Sequence, residues 1–202
     1  AEVLHEETVF PVRQKNIPLF IKNTNDMNAR GTLIMESFDE DEENKNKHFI
    51  TGISGKKNYS IITIAKNRMN EEIGYVRKAL EVFENFQIPI EHIPSSIDSF
   101  SVVVASKHIE GIMHELISAL NDRLKPDTIN IANEISLIAI VGRKLACNIG
   151  IAGKIFTALG ENDINIRMIE QGADEINIII GVDDINFKKT IRVLYNLSEV
   201  NE

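Results

Sequence analysis

What this 202-residue chain has little of narrows its nature before any pattern is read. It holds one cysteine, Cys147, so no disulfide can form within it. That thiol has no candidate base beside it in sequence and reads as a small packed residue. With no secretory feature at the N-terminus, a reducing cytoplasm is the expected compartment. Tryptophan is absent, aromatics make up 6% of residues and the net charge is −8. With no basic stripe among those aromatics, nucleic acid is not expected as a partner. No apolar run approaches the roughly 20 residues of a membrane-crossing helix, so no membrane partner is expected either. His5, His48, His92, His108 and His114 form no His-x-x-x-His pair and have no cysteine partner, so no metal is expected. The acidic run 39–43 lacks the spacing and glycine of a calcium loop. "GISGKKN" (52–58) has no Ser or Thr after its lysines and is no phosphate loop. With no nucleophile–base pair visible, no catalytic residue is expected.

What is present is ordinary globular composition, 43% hydrophobic and 26% charged, and it says much of itself twice. "IEHIPSSIDSFSVVV" (90–104) returns 76 positions later as "IRMIEQGADEINIII" (166–180). Ile90 falls on Ile166, Ile93 on Ile169, Asp98 on Asp174, Val102 on Ile178 and Val104 on Ile180. Upstream, Ser60 meets Ser136, Gly74 meets Gly150 and Ile88 meets Ile164. The period is too long for a solenoid, so each copy is read as a small domain. Cores of that size are marginal alone, which favours pairing or oligomerisation.

Each copy can be read by periodicity. "YSIITIA" (59–65) and "ISLIAIVG" (135–142) are short β-rich runs. Helical stripes follow, through Ile73, Val76, Ala79, Leu80, Phe83 and Phe86, and through Ile149, Ala152, Ile155, Phe156 and Leu159. Strand pairs are expected at 89–94 with 100–105 and at 165–170 with 175–181. The second helices carry Ile109, Ile112, Met113, Leu116, Ile117 and Leu120, and Ile185, Ile191, Leu194 and Leu197.

Copy one closes with a fourth strand, "TINIAN" (128–133), and is therefore β-α-β-β-α-β with helices on one face of an antiparallel sheet. Copy two runs out before its fourth strand. "HFITGISGK" (48–56) is expected to fill that vacancy, since an open edge would leave a row of backbone groups unpaired. The fold class is thus α+β, two ferredoxin-like units with the first inserted in the second. Residues 59–133 form the first, and 48–58 plus 134–202 the second. Before them, 2–16 reads as a helix, "IPLFIKN" as a strand and 38–47 as a charged linker.

The duplication resembles the tandem ACT domains of aspartokinases, of the monofunctional, amino-acid-inhibited type. The residues that carry this are "NIGIAGKIFTALGENDINIRMIEQGADEINIIIGVDD" and "MNEEIGYVRKALEVFENFQIPIEHIPSSIDSFSVVV". "KNT" followed by "GTLI" is similar to the end of the aspartokinase catalytic domain, so 1–37 is expected to be a remnant of it. The resemblance implies a regulatory region that binds an end-product amino acid, lysine first and threonine next, at a homodimer seam. Assembly to a tetramer is a further expectation. Binding would inhibit ATP-dependent phosphorylation of L-aspartate by the chain's own kinase domain. ATP and Mg would belong to that domain, leaving this region without a cofactor.

An amino acid brings a carboxylate and an ammonium. The strand-to-helix turns 67–74 and 143–150 open helices whose first N–H groups suit a carboxylate, and Gly74 and Gly150 allow close approach. Glu91 and Asp98 flank the first copy's loop as ammonium acceptors. On the family pattern Met69, Glu72, Tyr75, Val76, Ile90, Glu91, Ser95, Ser96 and Ile97 face the effector. Lysine-sensitive relatives carry Ser where Glu72 stands and Glu where Ile97 stands. A carboxylate at Glu72 would repel that of the effector unless it is turned away. Copy two offers Leu145, Asn148, Ile151, Ala152, Asn165, Ile166, Arg167, Gln171 and Gly172 as a second, less acidic site, with a scaffold role as the alternative.

Overall fold

The computed structural model describes residues 6–26, 28–35, 49–142, 145, 149–172 and 176–199. The chain divides into two compact units, 1–47 and 48–202. In the first, helix α1 (Glu6–Gln14) precedes a hairpin of β1 (Leu19–Ile21) and β2 (Thr32–Ile34), with Leu19 facing Ile34. The expected strand 17–23 is thus three residues long. The linker expected at 38–47 lies outside the described residues.

The second unit is built on an antiparallel five-stranded sheet. Its strands are β3 (Gly52–Ala65), β4 (Ser99–Ala105), β5 (Thr128–Val141), β6 (Ile166–Glu170) and β7 (Asn177–Asp183). Their order is β4-β3-β5-β7-β6. Helices α2 (Tyr75–Asn85), α3 (Met113–Leu124), α4 (Ile151–Glu161) and α5 (Phe187–Glu199) complete it.

The insertion is visible in β3 and β5, which serve both copies. Tyr59–Ala65 of β3 pairs with β4, and its Ile61–Ala65 part with residues 128–132 of β5, whereas Gly52–Lys56 pairs with residues 137–141. The segments expected as four strands are therefore two long ones. Between the halves the register shifts at Lys56/Tyr59 and Tyr59/Ile61, and Asn58 and Glu134 adopt left-handed φ of 66° and 56°. A bulge changes which side chains face inward. Ile129 and Ile131 of β5 accordingly meet the first core and Ile138 and Ile140 the second.

Ile62, Ile64, Phe83, Phe100, Leu116 and Leu120 are buried beneath α2 and α3. Ile138, Ile140, Ile155, Leu159, Ile178 and Leu194 are buried beneath α4 and α5. Each such side chain is worth about 1.5–3 kcal/mol of burial. Tyr59, Ile61, Val103, Ile135, Leu137 and Met168 form a third cluster. By strand alternation these residues lie on the helix-free faces, so the two copies pack through those faces.

Four expectations need correction. First, 89–94 is no strand. It makes isolated bridges only, His92 to Val103 and, just beyond, Ser95 to Phe100, because Pro89 and Pro94 each lack an N–H. Second, Ile73 and Ile149 lie outside the helical stripes and are fully exposed. Each precedes a left-handed glycine, Gly74 (φ 76°) or Gly150 (φ 86°), and the helix starts only after it. Third, Ile185 is exposed, in a 3-10 turn before α5. Fourth, the 76-residue spacing fails beyond the hairpin loop. Tyr59 faces Ala105 while Ile135 faces Asp183, so β7 is displaced by two further residues. Val104 therefore corresponds to Val182 rather than Ile180.

Candidate functional site

The end of β3, the turn into α2 and loop 94–98 meet at one corner of the first copy. Lys66 N–H donates to the Asp98 carbonyl over 2.9 Å, and Arg68 N–H donates to Asp98 Oδ1 over 3.2 Å. Asn67 N–H donates to Asp127 Oδ2 over 2.6 Å. A 3-10 turn, Met69–Glu71, then leads to Gly74 and α2. The loop is closed by Ser96 N–H on the Ser99 carbonyl (2.7 Å) and Ser101 N–H on the Pro94 carbonyl (2.8 Å).

Glu72 does not confront an incoming carboxylate unscreened. Its Oε2 lies 2.5 Å from Lys66 Nζ and its Oε1 2.9 Å from Lys78 Nζ. Hydrogen bonds from Lys66 and then Lys78 hold its carboxyl below the usual range. The group of three carries one net positive charge beside the start of α2. Among the described residues, the N–H groups of Gly74, Val76 and Arg77 have no hydrogen-bond acceptor. Cation and helix terminus together favour an anion.

Tyr75 opens α2 and is buried, its ring edge-on to Phe100 at 6.2 Å and 4.9 Å below Lys66 Nζ. Its hydroxyl has no hydrogen-bond partner among the described residues. Burial, then the negative charges of Glu72 and Asp127, push that phenol up to about 12. Met69, Val76 and Ile90 join the core beside it.

The structure thus brings Met69, Glu72, Gly74, Tyr75, Val76, Ile90 and Asp98 to one corner. Ser95, Ser96 and Ile97 are exposed on the adjoining loop. Glu91 stands apart from them. Its backbone N–H donates to the Val103 carbonyl, and its carboxylate, after burial, raises the phenol of Tyr59 in the cluster between the two copies. The turn expected to offer its N–H groups outward spends those of Asn67, Arg68, Met69, Glu71 and Glu72 inside the protein. Lys66, Lys78 and Asp127 escaped the sequence reading, for a lone lysine or aspartate carries no pattern.

In the second copy, Ile151 is buried at the start of α4, Ala152 packs on its core and Ile166 lies on β6. Asn165 and Gln171 are exposed, and Arg167 Nη1 lies 3.6 Å from Asp183 Oδ1. Gly172 follows β6 and Leu145 is buried. Asn148 lies outside the described residues. Among the described residues no three His, Cys, Asp or Glu side chains come together to hold a metal, and no helix is long and apolar enough to cross a membrane.

Known proteins share this architecture. A family model described as an ACT domain matches residues 138–197. Aspartokinase 3 of Bacillus subtilis is 31% identical over 194 residues, which cover 96% of this chain and 42% of that protein. The crystal structure of aspartate kinase from Clostridium acetobutylicum, described as an allosteric enzyme, superposes with a TM-score of 0.86 at 42% identity. It covers 97% of this chain and 45% of that one. This chain carries the tandem ACT domains of the aspartokinase family. It spans less than half the length of these aspartokinase relatives. The fold is shared also by E. coli aspartokinase III, solved in complex with lysine and aspartate (TM-score 0.71, 22% identity), over 97% of this chain and 42% of that one.

Proposed function

We propose that this chain is the allosteric region of an aspartate kinase. It binds an end-product amino acid, lysine first and threonine next, where two copies pair through their ACT domains. Bound effector inhibits ATP-dependent phosphorylation of L-aspartate by the kinase part of a longer cytoplasmic protein, where ATP and Mg are held. Residues 1–37 belong to that kinase part and 38–47 link it to the ACT units, 59–133 and 48–58 with 134–202. The carrying observation is the corner at Gly74. Net positive charge from Lys66, Lys78 and Glu72 sits beside acceptor-free N–H groups, facing a loop with the Asp98 carboxylate. Those two ends match the carboxylate and ammonium of an amino acid. An effector inhibits only by binding the inactive arrangement better than the active one, a preference worth about 1–3 kcal/mol per site.

A second reading has an observation of its own. Asp98 and Asp127 already cap the turn's N–H groups, as expected of a pairing module without an effector. Sedimentation of the chain with and without lysine separates the two. The first reading predicts a dimer whose stability rises with lysine; the second predicts a dimer indifferent to it.

A further inference from the structure

At the opposite end of the first copy's strands lies a groove of about 490 Å3, lined by Asn58, Ser60, Ser106, Lys107, Glu110 and Met113 among others. At its floor Ser60 is buried, and its hydroxyl donates to Asn133 Oδ1 and meets Ser106 Oγ, both at 2.9 Å. Lys107 and Glu110 stand exposed at the rim, and neither has an ion-pair partner among the described residues.

The duplication shows what such a place holds. With the two-residue displacement of β7, Ser60 and Ser106 correspond to Ser136 and Asp184. In the second copy Ser136 is likewise buried, and its hydroxyl donates to the Asp184 carboxylate. Ile109 corresponds to Phe187, whose ring packs so closely on Gly55 that a Cβ there would lie 2.7 Å from Cε2. The second copy therefore fills the place beside its buried serine with a carboxylate from its own chain, and carries a larger side chain than Ile109 next to it. The first copy has the buried serine too, but with the smaller hydroxyl of Ser106 and the smaller aliphatic side chain of Ile109 in those positions.

We propose that this groove is a binding site for a small carboxylate-bearing metabolite, whose carboxylate takes the place that Asp184 fills in the second copy. Ser106 Oγ and the Lys107 ammonium face the carboxylate, and Glu110 faces an ammonium where the ligand carries one. The site is independent of the corner at Gly74 and holds or fails without it.

The test is an amide-shift titration of the 15N-labelled chain with acetate and then L-alanine, against sodium chloride at matched ionic strength. Saturable shifts at Ser60, Ser106, Lys107 and Gly111, with alanine the tighter of the two, support the site. Ser106→Asp installs the second copy's own carboxylate and abolishes those shifts while leaving the rest of the spectrum in place. Should that variant fold poorly, Lys107→Gln on the rim weakens acetate several-fold. The proposal is overturned by shifts no larger than those from chloride. It is equally overturned by shifts that persist in a folded Ser106→Asp variant, or by acetate binding unchanged in Lys107→Gln.

Discussion

His92 Nδ1 stands 2.6 Å from Glu170 Oε2, each side chain partly buried. The two residues belong to the outer segments of the two copies, so the contact ties one unit to the other at the margin of their shared apolar cluster. Removing either partner strands the other half-buried, at a cost of about 1–3 kcal/mol. A double-mutant cycle of His92→Ala with Glu170→Ala, followed by denaturant unfolding, checks this. Additive losses would show that the two side chains do not interact.

Glu72 is held by two lysines, which screens a carboxylate from a position where one is unwelcome. Glu72→Ser frees both cations beside α2 and so tightens binding of an amino acid's carboxylate. Titration calorimetry with lysine reads the change, and an unchanged or weaker affinity contradicts it. The acid side follows from the same pair. Because the folded carboxyl titrates below its unfolded value, its contribution is complete above the unfolded pKa and is lost as pH falls through the lowered one. Acid unfolding of Glu72→Ser is therefore less steep than that of the parent chain.

Tyr75 keeps a buried hydroxyl without a partner among the described residues, which costs about 1–3 kcal/mol. Tyr75→Phe accordingly matches or exceeds the parent's stability at neutral pH. The phenol's folded pKa of about 12 lies above its ordinary 10.0, so its contribution is complete below the ordinary value and is lost as pH rises through the folded one. Melting temperatures followed from neutral to strongly alkaline pH show a smaller decline in Tyr75→Phe. An equal decline in both proteins contradicts the assignment.

Gly142 sits where a Cβ would lie 1.9 Å from the Phe49 carbonyl oxygen. Gly142→Ala forces the segment before β3 away from the second copy, at a cost of at least about 1–3 kcal/mol. Equilibrium unfolding measures this, and a neutral outcome would mean that the N-terminal half of β3 is not held there.

Most of the architecture was legible because it is written in alternation and helical period. Ile62, Ile64, Ile138 and Ile140 declare inward faces, and the vacant edge of copy two pointed to 48–56. Other features left no trace. The displacement of β7 by two residues keeps every side chain on its own face, so an ungapped comparison aligns Val104 with Ile180 as readily as with Val182. Ile73 and Ile149 fit a helical stripe by spacing, and only the positive φ of the glycines after them puts them outside. At the site, repetition and resemblance marked Gly74, Asp98 and the 94–98 loop. Lys66 and Lys78 were invisible because their role is to meet Glu72 in space.

The central claim is that the first copy's corner binds an aspartate-family amino acid. Isothermal titration of this chain with lysine, threonine, methionine and diaminopimelate tests it directly. Saturable heat with at least one of them, weakened by Asp98→Ala, is the predicted result. Absence of heat with all four, at concentrations high enough for the proposed pairing, would contradict it.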